Sequence, residues 1–195
     1  MIEVAEAQGY DVFNVAGDGN CAIYSILGVL NTTRQLDPLI DELQNCRRDS
    51  THAAKLIRQT AAQRTTDSGA SDNLTSPGTI EADAFQVLLE WFPMEVVVSA
   101  NHTAKFLSAE GTKPAAFLFC VEGHCLFAIQ QGKPICQLEK YLDDFPAWKV
   151  TAAEFTEQCR HRSQGANLAC SRPWKSYVLG HCPCAVCVVK RPGPI

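Results

Sequence analysis

Gly17-Asp18-Gly19-Asn20-Cys21-Ala22-Ile23-Tyr24-Ser25-Ile26 is a glycine-punctuated loop that runs into an apolar segment, with a cysteine at the junction. A thiol is a weak nucleophile until it ionises. A helix N-terminus favours ionisation, because orphan amide donors and the positive end of the helix dipole lie beside the sulfur. The same amides can bind the oxyanion of a tetrahedral intermediate. The plain alternative is a small hydrophobe packing a helix start. Two glycines beside that start favour the nucleophile, since they are costly unless the backbone must turn sharply or approach something closely.

A thiolate needs a base that is distant in sequence and adjacent in space. Of five histidines, His52 falls on a polar helix position and His102 in a polar turn. His161 stands between Arg160 and Arg162, and His181 lies in a cysteine-rich tail. His124 stands between two strand-like runs, just after a tight turn and before Cys125-Leu126-Phe127-Ala128-Ile129. A strand end held by a sheet is a rigid mount for a base serving a nearby helix. A histidine that merely caps the hairpin is the competing reading.

The elements that must carry these groups follow from periodicity. Asn20 to Leu30 reads as a helix with Ile23, Ile26, Leu27 and Leu30 on one face. Asp37-Pro38 reads as an N-cap and first helical residue, with Leu39, Ile40 and Leu43 behind. Thr51 to Ala62 predicts a helix facing inward through Ala53, Ala54, Ile57 and Ala61. Thr65 to Gly78 is polar and predicts a mobile loop. Thr79 to Phe92 is strongly amphipathic, with Phe85, Leu88, Leu89 and Phe92 inward, and Pro93 ends it. Strand signals follow over Glu95 to Ser99, Ala115 to Val121, His124 to Gln130 and Pro134 to Leu138, with Glu122-Gly123 as a hairpin turn. Helices followed by adjacent strands predict an α+β fold, with helices packed on a small mixed or antiparallel sheet. The character changes after about Val150, which divides the chain into residues 1–150 and a cysteine-rich C-terminal extension, 151–195. Thr151 to Arg162 predicts one more helix there.

An apolar content of 46% supports a real core, and the net charge of −4 gives no basic footprint for nucleic acid. No apolar run approaches a membrane span, and the acidic start Met1-Ile2-Glu3-Val4-Ala5-Glu6 lacks the form of a signal peptide. Ten cysteines would suit a secreted disulfide framework, but such frameworks serve domains that lack a core. Cys120, Cys125 and Cys136 also sit in or beside strand-like runs. A mostly reduced, cytoplasmic, monomeric protein is the expectation.

The block Gly17-Asp18-Gly19-Asn20-Cys21 with Ile23-Tyr24-Ser25-Ile26 resembles the signature of the ovarian tumour (OTU) family of cysteine proteases. Thr79-Ile80-Glu81-Ala82-Asp83 through Trp91-Phe92-Pro93-Met94-Glu95-Val96-Val97-Val98 is similar to that family's helix–strand unit, which precedes a histidine-bearing hairpin. The likeness runs from about Gly9 to Leu138. It implies an OTU-like, papain-like fold over 1–150, Cys21 as nucleophile and His124 as general base. It also implies an oxyanion hole at the Cys21 amide, in a loop positioned by Asp18. The implied substrate is the bond to the C-terminal glycine of ubiquitin or a ubiquitin-like modifier, with no cofactor required for catalysis.

Two residues depart from the family pattern. Cys125 replaces the usual aromatic after the histidine, and Leu126 replaces a common polar third group. Some members, including the second papain-like protease of arteriviruses, draw that group from seven residues before the cysteine, which here is Asn14. Its side-chain carbonyl is expected to accept the His124 Nδ1–H; an ordinary loop asparagine is the alternative. The arterivirus-type enzymes also embed zinc near the histidine. Cys182, Cys184 and Cys187 could place three thiolates on one ion, with Cys170, His181 or Cys120 as the fourth ligand, and a tail without metal is the alternative. This style suits excision from a viral polyprotein, with the host cytoplasm as location.

A thiol isopeptidase admitting the extended Leu-Arg-Gly-Gly tail of ubiquitin is therefore expected. Asp83, Glu90, Asp143 and Asp144 are candidates by charge sign for its arginine. The alternatives are a polyprotein-processing cysteine protease, an inactive OTU-like ubiquitin-binding module, and a zinc-dependent interaction protein built on the tail.

Overall fold

The computed structural model describes residues 2–33, 35–92, 94, 96–97, 113–121, 124–133 and 138–164. A short helix α1 (Ile2–Ala7) turns at Gly9, whose φ of +85° places it in the left-handed region, into strand β1 (Tyr10–Asn14). Helix α2 (Cys21–Thr33) follows, then a 3₁₀ turn over Asp37–Leu39 and helix α3 (Ile40–Asn45). Helices α4 (Ser50–Arg64), α5 (Ser68–Thr75) and α6 (Ala82–Trp91) come next. Strands β2 (Val96–Val97), β3 (Ala116–Val121) and β4 (His124–Gln130) lead to a 3₁₀ turn at Leu138–Lys140, strand β5 (Trp148–Lys149) and helix α7 (Ala152–Gln164). The fold is α+β.

The sheet order is β2-β3-β4-β1-β5. β3, β4, β1 and β5 pair antiparallel, and β2 joins parallel to β3. Helices cover both faces, so β4 is buried at nearly every position and lacks the polar alternation of a one-sided sheet. Cys125, Phe127 and Ile129 face the core of α2 and α4–α6. Leu126 and Ala128 join Tyr10, Val12, Phe117 and Phe119 in a second core closed by α1, Val150, Ala152 and Phe155.

Where the elements differ from expectation, local packing accounts for it. The predicted one-sided stripe on α2 is instead buried from Cys21 to Asn31, because the helix lies between the sheet and the other helices. Gly28 permits this: a Cβ there would lie 2.5–2.7 Å from the Phe127 ring. Asp37 does not cap a helix. It opens the 3₁₀ turn, while Leu39 and Leu43 are buried as expected. The polar segment predicted as a loop contains α5. Asp67 caps it by accepting from the Ala70 amide, and Ala70 and Leu74 anchor it to the core. α6 starts at Ala82 rather than Thr79, since Asn73 accepts from the Glu81 amide and donates to the Thr79 carbonyl. Its Phe85, Leu88 and Phe92 are buried, and Leu89 is partly so. The Glu122-Gly123 turn lies outside the described residues, although Val121 and His124 pair on either side of it. Of the predicted strand at Pro134 to Leu138, only Leu138 is described, and it opens a 3₁₀ turn. No helix among the described residues is long and apolar enough to cross a membrane.

Candidate active site

The chain enters α2 through a loop whose Asp18 and Asn20 side chains are both hydrogen-bonded. Asp18 Oδ1 accepts from the Asn20 amide at 2.9 Å, and Asp18 Oδ2 accepts from the Tyr24 hydroxyl at 2.9 Å. Burial and the Asp18 charge push the Tyr24 phenol up to about 12, so it stays a donor. Gly19 has φ +95°, and a Cβ there would lie 2.7 Å from the Gly78 carbonyl group. That contact is the physical reason for the second glycine of the motif.

The Gly19–Gly78 approach is held by Arg58 of α4, a residue the sequence reading missed. Arg58 is buried. Its Nε donates to Asn20 Oδ1 at 2.8 Å, and its Nη2 donates to the Gly19 carbonyl at 2.9 Å and to the Gly78 carbonyl. Nη1 donates to the Ser76 carbonyl at 3.0 Å. One planar cation thus ties the cysteine loop to the α5–α6 connection. The sequence held a signal for it: Arg58 stands four residues after Ala54 and three before Ala61, on the apolar stripe of α4.

This loop delivers Cys21 as the first residue of α2. The Asn20 carbonyl accepts from the Tyr24 amide, and its side chain is held by Arg58. The amides of the first turn, beginning with Cys21, have no acceptor within the helix and can serve an oxyanion.

Cys21, His124 and Asn14 are each 4% exposed, so water competes poorly for their contacts. β1 and β4 are neighbours, and their register places Asn14 and His124 on one face. Asn14 Oδ1 lies 2.8 Å from His124 Nε2. The same oxygen accepts from the Val15 amide at 3.0 Å, while Asn14 Nδ2 donates to Gln158 Oε1 of α7 at 3.2 Å. The Val15 N–H can only donate, which fixes the atom facing it as oxygen. His124 Nε2 must then carry the proton, leaving Nδ1 for the thiol. The ring is therefore turned opposite to the expected orientation: Asn14 engages Nε2, not Nδ1. Leu126 plays no polar part and is buried in the second core.

The Cys21 thiol is held well below the ordinary thiol range. The main cause is a hydrogen bond from the Cys125 side chain, and the hydrogen bond and charge of His124 and the Cys125 amide add to it against the cost of burial. Cys125 is thus a neighbour of Cys21. The arrangement can hold a thiolate, accept and return a proton through an oriented imidazole, and bind an oxyanion at a helix start.

The remaining expectations fall elsewhere. His52 is exposed on the first turn of α4. Asp143 pairs with Arg48 at 2.5 Å, and Asp144 accepts from the Ser50 amide at 2.7 Å, so both fasten the start of α4. Asp83 and Glu90 are exposed on α6, Glu90 accepting from Gln86. Cys21, Cys46, Cys120 and Cys125 are free thiols. Among the described residues no group of three or more His, Cys, Asp or Glu side chains is arranged to hold a metal ion, and Cys170, His181, Cys182, Cys184 and Cys187 lie outside them, as do Cys136 and His102. Comparison with protein families, curated proteins and solved structures found no match to this chain.

Proposed function

We propose that this chain is a cysteine-dependent deubiquitinase of the OTU type, with Cys21 as nucleophile, His124 as general base and Asn14 as the group that orients the base. The observation that carries the reading is the 2.8 Å contact between Asn14 Oδ1 and His124 Nε2, made beside a thiol whose pKa is lowered. Asn14 fixes the neutral tautomer and accepts from the imidazolium once Nδ1 has taken the thiol proton. Cys21 attacks the carbonyl carbon of the terminal glycine, and the oxyanion forms against the first-turn amides of α2. His124 returns the proton to the leaving amine. Water then attacks the acyl-enzyme with His124 as base. Asp18 and Arg58 hold the loop and touch no reacting atom. The site needs no cofactor for these steps, and a zinc-ordered tail remains compatible with them.

An inactive binding module is the reading that Leu126 invites. An oriented His124 and a lowered Cys21 pKa are the groups such a module has no use for. The test is hydrolysis of a ubiquitin C-terminal fluorogenic amide and of ubiquitin dimers. The parent chain turns over and Cys21→Ser does not. Equal rates for both would overturn the assignment. Inertness towards ubiquitin and its relatives, with cleavage after a small residue in a peptide, would move the activity to polyprotein processing.

A further inference from the structure

Cys21 is not the only thiol at the site. Cys125 of β4 is buried in the same core as Cys21 at the start of α2, and its side chain is what chiefly lowers the Cys21 thiol pKa. Cys125 Sγ also lies 2.7 Å from Cys120 Sγ. Cys120 and Cys125 are directly paired residues of β3 and β4, both buried. Directly opposed antiparallel residues have Cα atoms about 4.5–5.5 Å apart, within the roughly 4.4–6.8 Å that a disulfide spans. Three reduced thiols therefore share the buried core at the site. In hydrolysis only the first would bond to the substrate.

We infer that Cys21, Cys125 and Cys120 form a redox relay that moves peroxide oxidation off the nucleophile and into a Cys120–Cys125 disulfide. The Cys21 thiolate attacks a hydroperoxide: an S–O bond forms, the O–O bond breaks, and the departing oxygen leaves as water or alcohol after taking a proton. Cys125 then attacks the sulfenic sulfur. An S–S bond forms, the S–O bond breaks, and the hydroxide departs as water with the Cys125 proton. Finally Cys120 attacks the Cys125 sulfur, and Cys21 leaves as thiolate while the Cys120 proton passes to the Cys21–His124 pair. The nucleophile ends reduced, at the expense of two thiols that burial otherwise keeps protonated.

The inference rests on the reading of Cys21 as a thiolate but not on the substrate it serves. The experiment treats the full chain with hydrogen peroxide, blocks remaining thiols, maps disulfides by mass spectrometry, and measures each protein's activity against its own untreated value. The parent is expected to accumulate the Cys120–Cys125 disulfide and keep part of its activity, because Cys21 ends reduced but loses the Cys125 S–H donor. Cys120→Ser is expected to stop at Cys21–Cys125, losing activity that a reductant restores. Cys125→Ser is expected to lose activity irreversibly as Cys21 passes to sulfinic acid. Cys21→Ser should form the Cys120–Cys125 disulfide at least tenfold more slowly. Irreversible oxidation of Cys21 in the parent, a persisting Cys21–Cys125 bond there, or undiminished disulfide formation in Cys21→Ser would overturn the relay. Alkylation of Cys21 by iodoacetamide at neutral pH separates the two failures: a sulfur that resists it refutes the thiolate itself, whereas one that reacts but passes nothing on refutes only the relay.

Discussion

Replacing Asn14 with alanine removes one oxygen and one amide nitrogen that together make three contacts: His124 Nε2 at 2.8 Å, the Val15 amide at 3.0 Å and Gln158 at 3.2 Å. Catalysis depends on the first. It strengthens when the imidazole becomes cationic, and a hydrogen bond to a charged group contributes about 1.5–3 kcal/mol. At about 1.36 kcal/mol per factor of ten, the loss predicts kcat/KM lower by about 10- to 150-fold. The Val15 and His124 donors are also left buried without this acceptor, so folding stability should fall by about 2–4 kcal/mol. Asn14→Asp separates the two effects. Aspartate keeps an acceptor for both N–H groups, and Gln158 can present its own amide after a flip. Its charge stabilises the imidazolium, so the alkaline limb of the rate profile should move to higher pH. The assay is hydrolysis of a ubiquitin fluorogenic amide across pH, with urea unfolding alongside. A folded Asn14→Ala with parental kcat/KM would refute the reasoning. So would an Asn14→Asp protein that matches Asn14→Ala in both rate and pH profile.

Three further outcomes follow from the same geometry. Alkylation of Cys21 by iodoacetamide should have its midpoint well below the usual thiol value of about 8.5, and Cys125→Ala should raise that midpoint; an ordinary midpoint in the parent contradicts the site. Arg58→Met should cost stability of about 3 kcal/mol or more and lower kcat more than it raises KM, because Gly19, Asn20 and Gly78 lose their common donor; thermal unfolding with steady-state kinetics reads both. Gly28→Ala should destabilise the fold by up to about 2 kcal/mol, since overpacking Phe127 costs about 1–3 kcal/mol against a helix-propensity gain of about 1 kcal/mol, and a raised urea midpoint would refute the close α2–β4 packing.

The sequence revealed the parts of this protein that repeat a pattern or break one. α2, α4, β3 and β4 were legible because their apolar residues recur at helical spacing or run continuously. Cys21 stood out because two glycines precede a helix start, and His124 because it opens a strand. α5 was illegible: only Ala70 and Leu74 are buried, and its stability comes from Asp67 and from docking that no local pattern encodes. Asn14 could be proposed only through the family resemblance, and the orientation of the imidazole depends on the Val15 amide and on Gln158, 144 residues away in sequence. Arg58 was passed over although it lies on the apolar stripe of α4, because most of its acceptors are backbone carbonyls, which have no signature in a sequence. Cys125 read as a strand hydrophobe, and its contact with Cys21 emerged only when β4 came under the start of α2.

The most direct test of the central claim is reaction of the purified chain with ubiquitin bearing a C-terminal electrophile, beside Cys21→Ala and His124→Ala. The account predicts a one-to-one covalent adduct of the parent, mapped to Cys21, none with Cys21→Ala and a much slower one with His124→Ala. A folded parent chain that forms no adduct with ubiquitin or any ubiquitin-like probe, or an adduct that persists in Cys21→Ala, would contradict it.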